Sequence, residues 1–188
     1  TDGEVARELA VKETDLPLLT EAARHEYSDG GFKIYDISDR GNPRELSYTK
    51  TYGFGVHRFD ADEAYAYMST EMPGFNGNIL VIYDIRNPQR PEPVSRWWLP
   101  GQEIAEGQPP SWERHRYKLH HALRHGDELW AGCWYAGFRV IDVSDITAPR
   151  TVGSYDYHPP VPETTHTALR VPFPVAGRQV AVVIDEEH

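Results

Sequence analysis

Three segments of the chain alternate apolar and polar positions in nearly the same phrase. They are Gly31-Phe32-Lys33-Ile34-Tyr35-Asp36-Ile37, Leu80-Val81-Ile82-Tyr83-Asp84-Ile85 and Gly137-Phe138-Arg139-Val140-Ile141-Asp142-Val143. Each aspartate is followed seven residues later by a proline (Pro43, Pro91, Pro149), and each proline three residues later by an aliphatic residue (Leu46, Val94, Val152). Short runs rich in β-branched and aromatic residues, bounded by Gly, Pro and Asn, predict strands rather than helices. A strand-built repeat of roughly 50 residues predicts a β-propeller, in which each repeat supplies one four-stranded blade. Equivalent positions of successive blades then meet around one channel, so a residue type repeated there becomes part of a ring.

The second repeat parses most directly. Val56–Phe59 reads as the inner strand, Ala64–Thr70 as the next, Asn78–Ile85 as a buried third and Val94–Leu99 as the outer strand. Arg86–Pro93 carries prolines that a central strand excludes, and reads as the turn between the last two. In the third repeat the same slots are His120–His125, Glu128–Trp134, Gly137–Val143 and Thr151–Tyr155. In the first they are Leu9–Lys12, Leu16–Ala22, Phe32–Ile37 and Leu46–Thr51, with a helix over Asp2–Lys12 as a competing reading. The fourth repeat offers Thr167–Val171 and Val180–Asp185. The expectation is an all-β, single propeller segment over residues 1–188, with blade-like repeats at about 5–51, 52–100, 114–155 and 166–188. About three four-stranded blades plus part of a fourth do not close a ring of ~4–8 blades. The rest of the propeller is therefore expected from the same polypeptide or from another chain.

The phrases Phe32–Asp39, Ile79–Arg86 and Phe138–Asp145, with Pro43, Pro91 and Pro149, resemble the LVIVD repeat of bacterial β-propellers. The resemblance implies the fold and no particular activity. Within it, Ile34, Ile82 and Val140 are expected at the blade interfaces. Asp36, Asp84 and Asp142 are expected to cap the following turn by accepting backbone N–H bonds.

Composition narrows the function classes. A formal net charge of −10 disfavours a nucleic-acid backbone as partner, because phosphate binding needs a basic face. No apolar run approaches the ~20 residues of a spanning helix, so no membrane partner is expected. A soluble chain, cytoplasmic or periplasmic, is the expectation, with the compartment left unknown. One cysteine, Cys133, leaves no internal disulfide and no thiolate metal site.

The remaining chemistry lies in the histidines. His57, His120-His121 and His166 fall at the starts of three inner strands; Glu71 and Asp185-Glu186-Glu187 fall at the ends of second strands. In a blade those ends share one mouth of the channel. Aligning His121-Ala122-Leu123-Arg124 with Thr167-Ala168-Leu169-Arg170 matches His120 to His166, and a shift of one residue would use His121 instead. Alternation lets only one of the pair face the channel. Imidazoles and carboxylate together suit a divalent metal, with Fe(II) or Mn(II) favoured over Zn(II). His57, His120 and His166 are the expected ligands, and Glu71, Glu186 and His121 the expected catalytic groups. Trp112, Tyr117, Trp134, Arg124 and His158 are candidates to wall a pocket for a small organic, aromatic substrate. The leading expectation is a metal-dependent enzyme working by oxidation or by C–C or C–O bond cleavage. Its rivals are a non-catalytic propeller binding a protein or glycan, and a metal-free His/Glu acid–base lyase or hydrolase.

Overall fold

The computed structural model describes residues 30–104, 118–158 and 163–186. These residues are all-β, built from antiparallel sheets in propeller-blade order. β1 (Gly31–Asp36) and β2 (Arg44–Lys50) form the outer pair of a first blade. β3 (Tyr52–Ala61), β4 (Tyr65–Glu71), β5 (Ile79–Asp84) and β6 (Glu92–Trp97) form a complete second blade, paired in sequence order. β7 (His121–His125), β8 (Glu128–Gly132), β9 (Phe138–Asp142) and β10 (Arg150–Tyr155) repeat it as the third. β11 (Thr164–Arg170) and β12 (Ala181–Glu186) pair as the inner half of a fourth. The expected strands Leu9–Lys12 and Leu16–Ala22, and the rival helix, lie outside the described residues. No helix among the described residues is long and apolar enough to cross a membrane.

Two of the boundary differences from the sequence expectation have a local cause. β6 starts at Glu92 and takes Pro93 into the ladder opposite Tyr83. Because β6 is the outermost strand of its sheet, the missing N–H of proline faces away from a partner strand. β8 stops at Gly132 rather than running to Trp134, whose φ of 55° turns the chain out of the strand.

The alternation along β5 separates two cores. Leu80 and Ile82, with Tyr67 and Trp97, pack against Leu119, Leu129, Ala131 and Ile141 of the third blade. Ile79, Val81 and Tyr83, with Met68, face the first blade and receive Phe32. Period-2 patterning thus makes one strand serve both neighbours, as a blade sandwiched between blades requires. Ser47 Oγ donates to the Pro88 carbonyl at 2.6 Å, and Ser95 Oγ to the Ile146 carbonyl at 2.6 Å, one blade further on.

The repeated aspartates do cap their turns. Asp36, Asp84 and Asp142 accept the N–H two residues on, from Ser38, Arg86 and Ser144, each at 2.9 Å. A second acceptor follows in each turn: Asp39, Asn87 and Asp145 take the N–H of Gly41, Gln89 and Thr147. Leu46, Val94 and Val152 have a different role from ordinary strand residues. In each blade the register slips by one at that position, so the repeated aliphatic residue is the extra residue of a β-bulge.

Candidate metal centre

The inner strands β3, β7 and β11 line up beside one another and carry the histidines to one place. Two of those strands are bulged at the histidine itself. Val56 pairs with Thr70 and Arg58 with Ser69, leaving His57 as the extra residue. Thr165 pairs with Asp185 and Thr167 with Ile184, leaving His166 as the extra residue. A bulge re-aims one side chain without ending the sheet. That re-aiming is how the second and fourth blades both turn an imidazole inward, and it is a signal a strict two-residue alternation does not contain.

His120 sits just ahead of β7, is 1% exposed, and is tied to three blades. Its N–H donates to the Gly132 carbonyl at 2.9 Å. The preceding carbonyl, of Leu119, accepts from Ser69 Oγ at 2.8 Å. Its Nδ1 lies 2.9 Å from the His166 carbonyl oxygen, which can only accept, so Nδ1 carries the proton and Nε2 keeps a lone pair. Trp134 stacks behind the ring at 4.9 Å between centroids. Burial, reinforced by the neighbouring His166 and His57, pushes His120 down to about 3, so it stays neutral.

His166 has the same tautomer by a different route. The Arg58 guanidinium, which only donates, lies 3.3 Å from Nε2, while Nδ1 lies 2.7 Å from Thr167 Oγ1. Two main-chain bonds of 3.1 Å between Trp134 and Thr165 pin the start of β11 to the third blade. Gly132 permits that approach, because a Cβ there would stand 2.5 Å from the His166 carbonyl oxygen. Glu186 Oε2 is 3.7 Å from His166 Nε2. One ligand atom each from His120, His166 and Glu186 lies within 4.8 Å of the others. His57 reaches the edge of this set with its Nε2 2.9 Å from His120 Nε2, donating to the His120 lone pair. Burial, then the charges of Lys118 and Arg58, lower the His57 pKa.

Two imidazoles and one carboxylate fit a divalent ion of the Fe(II), Mn(II) or Zn(II) kind. Donors on one ion at ~2.0–2.2 Å stand roughly 3.0–3.4 Å apart, so the 3.7 Å between His166 and Glu186 needs little closing.

The other candidates fall elsewhere. His121 resolves the choice within the pair: its Nε2 donates to the Phe59 carbonyl at 3.2 Å and its Nδ1 lies 3.4 Å from Thr167 Oγ1. Glu71 ends β4 against Gly53 and is not brought into the His120, His166 and Glu186 group. Trp134, 2% exposed, backs His120 instead of walling a pocket. Arg124 bonds the Tyr67 hydroxyl at 2.7 Å between the second and third blades. His158 lies with Tyr135, Tyr157 and Thr165. Trp112 and Tyr117 lie outside the described residues. Cys133 is fully buried, and desolvation pushes its thiol up to about 12, leaving it unreactive. A cavity of about 400 Å³ opens between β1 and the second blade, lined by Phe32, Ile34, Val56, Phe59 and Met68, and His57 forms part of its wall. Arg58 and Lys118 are the site residues that sequence reasoning missed. Arg58 could have been found as the basic residue next to a candidate ligand histidine; Lys118 had no signal.

The sequence model of the LVIVD repeat matches residues 129–157, which span β8, β9 and β10 of the third blade. The chain carries an LVIVD repeat. The same double-capped turn and bulge recur in the first and second blades, outside the matched residues. A comparison with curated proteins gives no match.

Proposed function

We propose that this LVIVD-repeat propeller is a metal-dependent enzyme acting on a small organic molecule by oxidation or by C–C or C–O cleavage. His120, His166 and Glu186 hold the ion, and His57 completes the donor set or moves a proton beside it. The observation that carries the reading is that His120, His166 and Glu186 each bring one ligand atom within 4.8 Å of the others. Each ring is oriented through its Nδ1, His120 by the His166 main-chain carbonyl and His166 by Thr167 Oγ1, as ligand histidines are usually oriented. The apolar cavity that has His57 in its wall gives an organic substrate a place to lie.

Metal analysis of the purified protein tests this. The expected result is close to one equivalent of a first-row metal, lost together with activity in His166→Ala while the β-sheet circular dichroism persists. Metal-free protein that cannot be loaded would sink the reading. The second reading is then acid–base chemistry. It is favoured by the existing relay in which His57 donates to His120 and His120 to the His166 carbonyl, with Arg58 capping His166. Activity that survives chelation would select it.

A further inference from the structure

Arg58 and Lys118 bring positive charge to the cluster in a chain whose formal net charge is −10. Arg58 follows the bulged His57 on β3, and its guanidinium reaches across to the fourth blade, 3.3 Å from His166 Nε2. Lys118 lies over the ring of Trp134, its Nζ 4.3 Å from the centroid, and Trp134 in turn stacks on His120. Cations are the wrong sign for supporting metal ligands, since they repel the ion the ligands would hold.

We propose that Arg58, with Lys118, recognises the carboxylate group of the substrate, so that this enzyme's substrates are small organic carboxylates. The inference rests on the metal reading above. When an ion takes the His166 lone pair, the guanidinium loses that acceptor and is left beside a divalent cation. A carboxylate resolves both problems. One oxygen enters an open coordination position, and the planar group presents the other to the guanidinium fork, which matches it better than a lysine point charge does. The apolar body of the substrate would run from His57 into the cavity against β1.

The test uses Co(II)-loaded protein with benzoate as the probe, followed by the visible spectrum of the metal. Wild type should bind Co(II) and change its spectrum on addition of benzoate. Benzamide, neutral and of the same shape, should leave the spectrum unchanged. Arg58→Gln should keep Co(II) at equal or higher affinity and weaken benzoate at least tenfold, with Arg58→Lys in between. Should Arg58→Gln fail to fold, Lys118→Gln carries the same comparison, with a several-fold loss expected. A spectrum indifferent to benzoate, or an Arg58→Gln response equal to wild type, overturns this inference and leaves the metal reading standing. Phosphate binding in place of benzoate also overturns it. Failure of the wild type to bind Co(II) overturns the metal reading and this one with it.

Discussion

His120 joins stability to the candidate site at the scale of one residue. Its folded-state value of about 3 lies below the ordinary histidine value, so the folded protein excludes a proton that the unfolded chain accepts. Above pH 6.5 both states are neutral and nothing is lost. As pH falls from 6.5 toward 3, the unfolded state binds the extra proton and stability drops by up to about 1.4 kcal/mol per pH unit from this residue. His57 and His121, both lowered first by burial, add to the slope in the same direction. Between pH 6.5 and about 4.5 most carboxylates are still ionised, so the window isolates the imidazoles. Urea unfolding of His120→Gln should therefore give a protein less stable at pH 7 but with a flatter pH dependence, by about one proton. An unchanged slope would show that His120 is not buried neutral. The sequence made the histidine cluster legible because three imidazoles recur at one repeat phase. It left His120 and His121 open because alternation fixes that only one points inward, and the deciding contact, the Phe59 carbonyl taking His121, comes from another blade.

At the scale of the element, the same device appears twice with different consequences. A bulge in the outer strand places Leu46, Val94 and Val152 once per blade. A bulge in the inner strand places His57 and His166. The outer bulge was visible as a repeated spacing from proline, though not as a bulge. The inner one was not visible, because nothing in Val56-His57-Arg58 or Thr165-His166-Thr167 departs from a plain strand sequence. The aspartate caps were legible for a physical reason: a side-chain acceptor two residues before its donor is local, so the neighbouring sequence contains both partners. Gly132 is a further element-scale position, since it sets how closely β8 and β11 approach. Gly132→Ala puts a methyl 2.5 Å from the His166 carbonyl oxygen. The backbone must shift, at about 1–3 kcal/mol as for other overpacked sites. Because the displaced oxygen is the one that orients His120, metal affinity should fall more than tenfold while the fold survives. Thermal melting and metal titration of the same variant check this, and unchanged metal affinity would remove Gly132 from the account of the site.

Over the whole molecule, the blades that have neighbours differ from the half-blade that lacks one among the described residues. β5 is buried on both faces because the first and third blades cover it. The β11–β12 pair is covered on one face, where Ala168 is 0% exposed. On its other face Leu169, Val182 and Ile184 stand 47%, 52% and 50% exposed. Among the described residues β12 pairs with β11 alone, leaving a ladder edge beside that apolar face. Propeller blades bury such faces against the next blade, and an apolar face next to an unpaired edge is a site for association. The 188-residue chain in isolation should therefore self-associate as its concentration rises, and bind a hydrophobic dye. Charge on the face should oppose both. Ile184→Lys and Leu169→Lys project from strands whose other face holds the packing, so each should shift sedimentation toward monomer and lower dye binding without reducing β content. Placing the half-blade beside a neighbouring blade in a longer polypeptide should have the same effect as the lysines. A wild-type chain that stays monomeric and dye-free at every concentration would mean that this face does not seek the neighbour that the geometry of a propeller blade requires.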